Sequence, residues 1–373
     1  MKNKIIVLQV VKSLGVGGAE MLLAETLKVH DRERFEFHYI YFLPHKNQMV
    51  DSLEAEGVKV TCLSASNNFG ILTQLFNLKK YCKQHNVDII HAHLSWAGIV
   101  SRFVGKLTGI PVIYTEHNSF DIYHPLTRLA SRINYSWQAK VLAVSEASKI
   151  SLEKRNLFKD IIYVPNGVNT KLFSKSDTIS VTGELESFIK DKIVIGTVAV
   201  FRKQKRLDLF VEVARLATER ELPFCFLLVG DGVEMDFIKT LADGYHLKNI
   251  YFAGLQKNPI DLMNCMDAFL ITSDFEGLPV ALLEAMSMEI VPFCTPVGGI
   301  TNVIKDLQNG VLLPSNKPED MLAQLEKHIM KDKIHYDTMK KEARNTIVSG
   351  YSIQRMVNQL ESIYIEVYQN ERK

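Results

Sequence analysis

With 373 residues the chain exceeds what one hydrophobic core comfortably supports, so two domains of about 180 residues each are expected. Its 47% hydrophobic and 23% charged content and its formal net charge of +2 describe an ordinary soluble protein, and no nucleic-acid partner is expected. No apolar run approaches the length of a membrane-spanning helix, and the five scattered cysteines contain no Cys-x-x-Cys pair, which points to neither a zinc module nor a disulfide framework and fits a reducing cytoplasm.

Residues 4–11 (KIIVLQVV) read as a buried strand of a parallel sheet. A signal peptide does not fit, because the run is short, Gln9 and Lys12 break it, and no small-residue cleavage site follows. A glycine turn with Gly15, Gly17 and Gly18 then leads into a helix from Ala19. Strand, glycine turn and helix open many nucleotide-binding α/β domains. A dinucleotide fingerprint would need a third glycine where Glu20 stands, so an NAD enzyme is discounted. The alternation continues with strands at 36–42 and 58–63, a helix near 48–56, a helix over 71–85, a strand at 87–92, a helix over 96–107 and a strand at 111–115. His91 and His93 end one of these strands and Glu116, His117 and Asn118 end the next, at the edge where open α/β sheets bind ligands. No third ligand stands at a sensible spacing, so no metal site is expected. Over 120–140, Arg128 and Arg132 interleave with Leu126, Leu129, Ile133 and Trp137. This is either a packed helix with a solvated face or an amphipathic surface for anionic lipid. A strand at 141–144 and the turn Ser145-Glu146 precede Val164-Pro165-Asn166-Gly167-Val168, which closes the first domain, and the polar stretch 170–191 reads as a linker.

The second half restarts the pattern with a strand at 192–200 and a helix over 207–218. Between them stand Arg202, Lys203, Lys205 and Arg206, a concentration of charge that suits a pyrophosphate. Further strands are expected at 224–229, 250–253 and 268–272, with helices over 234–242 and 261–267, and with Gly230-Asp231-Gly232 and Gly254-Leu255-Gln256 as edge turns. The chain is organised around 272–303, TSDFEGLPVALLEAMSMEIVPFCTPVGGITNV. A helix starts near Pro279, where a missing N–H has little consequence. That places Glu276 in the preceding loop and Glu284 inside the helix. The exposed N–H groups suit phosphate, and the carboxylates suit the hydroxyls of ribose or sugar. A strand at 290–294, the Gly298-Gly299 turn and a helix from about 301 follow. Ile353, Met356, Val357, Leu360, Ile363, Tyr364 and Val367 then recur at helical spacing behind Ser352 as N-cap.

The phrase FEGLPVALLEAM followed by Gly-Gly closely resembles the signature of the group 1 retaining glycosyltransferases of the GT-B fold. HAHLSWAG, IPVIYTEHN, VPNGVN and FRKQKRLDLF are similar to other landmarks of that family, so the resemblance spans about residues 3–369. It implies an α/β protein with two Rossmann-like, doubly wound domains facing a central cleft. Residues 1–174 would form the acceptor side, 190–350 the donor nucleotide-sugar domain, and 351–373 a helix returning to the first domain. It also implies roles. His117 would orient the sugar or acceptor, and the backbone at Gly17 and Gly18 would approach the donor diphosphate. Lys205, with Arg202, would neutralise the pyrophosphate, and Gln256 would lie beside the base. Glu276 would contact the sugar ring, backbone groups at Gly277, Leu278 and Val280 would assist, and Glu284 would hold the ribose. His117, Lys205 and Glu276 form the expected catalytic set. There is no Asp-x-Asp motif, so no metal and no other cofactor is expected. Val200 and Asn302 stand where many members carry arginine and glutamate.

Residues 1–175 hold 22 basic and 14 acidic residues, giving +8, whereas 176–373 hold 22 and 28, giving −6. A basic first half suits an anionic membrane surface or a phosphate-bearing acceptor. Together with the resemblance, this implies transfer from a nucleoside-diphosphate sugar, most simply a UDP-sugar, to a glycan or lipid-linked acceptor in cell-envelope polysaccharide synthesis, at the inner face of the cell membrane. A GT-B sugar-nucleotide epimerase and a non-catalytic glycan-binding partner subunit stay open as alternatives.

Overall fold

The structure, a computed structural model, describes residues 4–370 apart from 16, 159, 177, 179, 180 and 182. It divides into two compact units, Met1–Gly167 with Ile353–Lys373, and Val168–Ser352. The first unit holds seven parallel strands: β1 Ile5–Val10, β2 Phe35–Tyr41, β3 Lys59–Cys62, β4 Ile89–His93, β5 Val112–Glu116, β6 Lys140–Ala143 and β7 Ile161–Tyr163, in the order β3-β2-β1-β4-β5-β6-β7. The second holds β8 Ile193–Val198, β9 Phe224–Val229, β10 Ile250–Gly254, β11 Ala268–Ile271, β12 Val291–Cys294 and β13 Val311–Leu312, in the order β10-β9-β8-β11-β12-β13, again parallel. Each order reverses direction once, between β1 and β4 and between β8 and β11. Such a switch point leaves a crevice at the carboxyl ends of the strands.

Both faces of the central strands of the first sheet are buried, which is why β1 and the starts of β4 and β5 carry consecutive apolar residues. Side chains alternate between the faces. Leu8, Ile90, Val112, Tyr114 and Val141 point to one core, with Ile99, Val100 and Val104 of the helix Ser95–Thr108. Val7, Ile89, Ile113 and Leu142 point to the other, where Leu360, Ile363, Tyr364 and Val367 of the helix Ile353–Asn370 cover them. The apolar stripe of that helix thus completes the first unit. Glu361 Oε1 accepts from the backbone N–H of Asp31 at 2.8 Å and lies 2.9 Å from His30 Nδ1.

Several expectations change in detail. The helix expected over 71–85 is two, Asn68–Thr73 and Leu75–Gln84, because the chain turns at Gln74. The helix after Gly298-Gly299 is short, Ile300–Val303. Residues 304–350, which carry no clear sequence signal, add β13 and the helices Pro318–Leu325 and Lys333–Gly350. The start of the stretch read as a linker is tied by hydrogen bonds to the helices Ile260–Asn264 and Val280–Ser287. Ser176 N–H donates to Asn264 Oδ1 at 3.0 Å, Lys175 Nζ to the Asn264 carbonyl at 2.9 Å, and Ser287 Oγ to the Phe173 carbonyl at 2.6 Å. The second unit therefore begins at Val168, before the expected boundary.

Candidate active site

At the switch point of the second unit the carboxyl ends of β8 and β11 bring Lys205 and Glu276 together. Lys205 Nζ donates to Glu276 Oε1 at 2.5 Å, and Ser273 Oγ donates to the same oxygen at 2.7 Å. The basic turn is strapped to β11: Thr272 Oγ1 lies 2.9 Å from the carbonyl oxygens of Lys205 and Arg206, and Asp274 N–H donates to the Gln204 carbonyl at 2.8 Å. Arg206 holds a left-handed φ of 48° and is committed to Asp208 and Asp274, at 2.9 and 3.2 Å. Lys205 has two further N–H donors to offer a ligand.

The glutamate loop is fixed by the glycine pair downstream. Gly298 has φ 54°, and a Cβ there would lie 1.7 Å from the Glu276 carbonyl oxygen. Gly299 N–H donates to the Gly277 carbonyl at 2.6 Å. Only glycine allows that approach, which explains why the two-glutamate phrase and the Gly-Gly turn occur together. The helix Val280–Ser287 follows Pro279, and Glu284 lies in its second turn, 6% exposed.

At the switch point of the first unit stands a chain of neutral polar groups. His93 Nδ1 lies 3.1 Å from His117 Nε2, and His93 Nε2 lies 2.8 Å from Gln9 Oε1. Gln9 Nε2 donates to the Tyr364 hydroxyl at 3.2 Å, and His91 lies 2.7 Å from both that hydroxyl and Thr115 Oγ1. Burial depresses the imidazoles, His117 to about 4 and His91 to about 3, and His93 falls well below its usual value for the same reason. Beside them burial pushes the Glu116 carboxyl up to about 7 against hydrogen bonds from Tyr123, Tyr114 and Asn118, which favour its charge.

A family model described as glycosyl transferases group 1 matches residues 184–346, and one described as glycosyltransferase family 4 matches residues 16–172. The two matches together span both units, so the chain is a glycosyltransferase, with a group 1 domain in its second unit. This glycosyltransferase is 26% identical to an Escherichia coli UDP-Gal:alpha-D-GlcNAc-diphosphoundecaprenol alpha-1,3-galactosyltransferase over 376 residues, covering 95% of each chain. It is also 26% identical to the capsular polysaccharide biosynthesis glycosyltransferase CapH of Staphylococcus aureus, over 75% of this chain and 78% of the relative. Among solved structures it resembles Anabaena HepE in complex with UDP and glucose, with a TM-score of 0.82 and 19% identity, covering 96% of this chain and 98% of that one. The two Rossmann-like units are those of the GT-B fold.

Of the residues singled out in this glycosyltransferase, Lys205, Glu276, Gly277 and the Gly298-Gly299 turn converge on one place. Arg202 is exposed and forms no ion pair among the described residues, so its guanidinium is not held in place beside Lys205. Gln256 lies past β10, with Nε2 donating to the Ala253 carbonyl at 2.7 Å. Gly17 caps the helix Gly18–Leu27, and a Cβ on it would lie 2.6 Å from the Glu20 carboxylate, so the first approach to that turn carries a negative charge. Sequence reasoning missed Gln9, Thr115, Ser273 and Tyr364 as parts of the two constellations. Gln9 alone left a signal, as the one polar residue in a buried apolar strand.

Proposed function

We propose that the chain is an anomer-retaining, metal-independent hexosyltransferase that moves a sugar from a UDP-sugar to a glycan or lipid-linked acceptor in cell-envelope polysaccharide synthesis. The observation that carries this reading is the Lys205–Glu276 pair at the second switch point, with Glu284 on the helix that follows. The bond between the anomeric carbon and the diphosphate oxygen breaks. The acceptor hydroxyl attacks from the same face, and its proton passes to the departing diphosphate. The Lys205 ammonium, assisted by Arg202 and by backbone N–H groups at Gly277, Leu278 and Val280, neutralises the charge that grows there. Glu276 accepts hydrogen bonds from the hexose, Glu284 accepts them from the ribose, and His117 orients the sugar or acceptor. Gln256 lies beside the base, and the Gly17-Gly18 turn lines the diphosphate approach. The E. coli relative's name specifies UDP-Gal and a diphosphoundecaprenol-linked acceptor, which supports the choice of nucleotide and acceptor class. A calorimetric screen of UDP-, GDP- and ADP-sugars tests the donor. A UDP-sugar at a hundred times its Kd raises stability by about 2.7 kcal/mol, with or without EDTA, and transfer then yields a product with the donor's anomeric configuration. A stabilising shift that disappears in EDTA contradicts metal independence, and turnover without an acceptor to an epimeric nucleotide sugar overturns the transferase reading.

Membrane contact by the first unit is part of the same proposal. The helix Pro125–Asn134 is inverted relative to a packed surface helix. Its buried residues are Ser131 and Asn134, whereas Leu126, Leu129 and Ile133 are 58%, 62% and 65% exposed, with Arg128 and Arg132 alongside. Arg102 on the neighbouring helix, wholly buried, holds this arrangement through Asn134 Oδ1 at 2.9 Å and Gln138 Oε1 at 3.1 Å. An outward apolar stripe bordered by cations suits an anionic lipid interface, where each cation adds about 1 kcal/mol. Among the described residues no helix is long and apolar enough to cross a membrane, so the contact proposed is peripheral, at the inner face of the cell membrane. The chain co-sediments with phosphatidylglycerol vesicles, and Leu129→Glu with Ile133→Glu releases it. Equal recovery with phosphatidylcholine vesicles would sink the electrostatic part of the idea.

A further inference from the structure

We infer that Gln9 is a positioning residue, whose side-chain amide fixes the tautomer of His117 through His93 and so makes His117 Nδ1 a hydrogen-bond acceptor for a substrate hydroxyl. Each neutral imidazole has one N–H and one lone pair, so each contact in a chain of them dictates the next. Gln9 Oε1 faces His93 Nε2 at 2.8 Å, so that nitrogen carries the proton and His93 Nδ1 is left as acceptor. His117 Nε2, 3.1 Å from His93 Nδ1, must then be the donor, and His117 Nδ1 keeps its lone pair.

The whole relay would run backwards if the amide were turned over, and the distances fix its direction. With the amide as placed, Gln9 Nε2 donates to the Tyr364 hydroxyl at 3.2 Å, an ordinary N–H···O length. Turned over, that contact would be an O–H···O bond, whose usual length is about 2.7–2.8 Å. It would be stretched, while the contact to His93 would become a compressed N–H···N bond. Tyr364, having accepted from Gln9, donates to His91 Nδ1 at 2.7 Å. That helix residue is wholly buried, so the last helix of the chain anchors the amide from behind. Burial of His91 and His93 and partial burial of His117 keep the three imidazoles neutral at pH 7, and a tautomer is defined only in that form. The consequence is chemical. A donating His117 would seek a carbonyl or phosphate oxygen, whereas an accepting one orients a hydroxyl. This deepens the transferase reading and rests on it for the identity of that hydroxyl.

The test is a two-bond ¹H–¹⁵N correlation spectrum of ¹⁵N-histidine-labelled full-length protein at pH 7.5, which distinguishes a protonated ring nitrogen from one with a lone pair. His117 shows a protonated Nε2 and a lone pair on Nδ1. Gln9→Met removes both amide contacts, and His117 then populates both tautomers. Gln9→Glu keeps an oxygen for His93 Nε2 and restores the wild-type pattern. In transfer assays Gln9→Met lowers kcat at least fivefold with little change in donor KM, and Gln9→Glu recovers most of it. A wild-type His117 protonated at Nδ1 overturns the inference, as does a Gln9→Met protein with an unchanged His117 tautomer. The spectrum needs no turnover, so it stands apart from the transferase reading, which fails instead if the wild-type protein transfers no sugar.

Discussion

Replacing Lys205 by methionine lowers kcat for sugar transfer roughly a hundredfold and leaves the chain folded. The ammonium is pre-positioned: Thr272 and Asp274 strap its turn to the end of β11, so no reorganisation is needed as the diphosphate leaves. Removing one such donor from a partly dry site typically costs about 2.7–4 kcal/mol of transition-state stabilisation. Methionine keeps the apolar stem of the side chain and removes the charge. The Glu276 carboxylate left behind still accepts from Ser273 and is 10% exposed, so the loss of thermal stability stays near about 1 kcal/mol. Glu276→Gln also lowers kcat, and the double variant falls short of the product of the two single effects, because each partner positions the other across a 2.5 Å contact. Steady-state kinetics with a UDP-sugar, alongside thermal melts, check this. An unchanged kcat with only a modest rise in KM would show that Lys205 supplies ground-state binding alone, and the leaving-group role would have to be abandoned.

The parts of this site that were legible in the sequence are those encoded locally. Glu276, Pro279 and Glu284 announce a loop and a helix start by their own spacing, and Gly298-Gly299 marks a turn that only glycine can make against the Glu276 backbone. Apolar runs at β1, β9 and β11 announce strands buried on both faces. What was illegible depends on contacts between distant segments. Gln9 and Tyr364 are 355 positions apart, and nothing in an apolar helical stripe says that its tyrosine hydroxyl will receive an amide from the first strand. The stretch 170–191 is polar and aperiodic and so resembles a linker, yet Asn264 bonds the backbone of Ser176 and Thr178 and Ser287 that of Phe173. The helix Pro125–Asn134 has the spacing of a packed helix, and its orientation is reversed by the buried Arg102, which needs the oxygen of Asn134 beneath it more than the core needs another leucine.

Glu116→Gln stabilises the first unit by about 3 kcal/mol at pH 8 and by only about 0.8 kcal/mol at pH 5. Glu116 is wholly buried, and its carboxyl titrates near 7 in the folded chain against an ordinary value of 4.5, because burial opposes its charge more than Tyr123, Asn118, Tyr114 and the Arg102 guanidinium favour it. Between those two values the folded chain holds a proton that the unfolded chain has released. Stability is therefore fully present below about pH 4.5 and is lost as the pH rises through 7. Glutamine mimics the protonated form. Its oxygen accepts from Tyr123 and from Asn118 N–H, and its amide faces the Tyr114 hydroxyl, 3.1 Å away in the wild type. The buried imidazoles act with the opposite sign: depressed to about 3 at His91 and about 4 at His117, they withdraw stability as the pH falls below 6.5. Those contributions are common to both proteins and cancel in the difference between them. Both tryptophans of the chain, Trp96 and Trp137, lie in the first unit, so their fluorescence during urea unfolding isolates its transition from that of the second. The difference in unfolding free energy between variant and wild type grows from pH 5 to about pH 7 and then levels off. A difference that stays flat across that range would mean that Glu116 is ionised throughout, as a buried partner of Arg102, and the wild type rather than the variant would then be the more stable protein at pH 8.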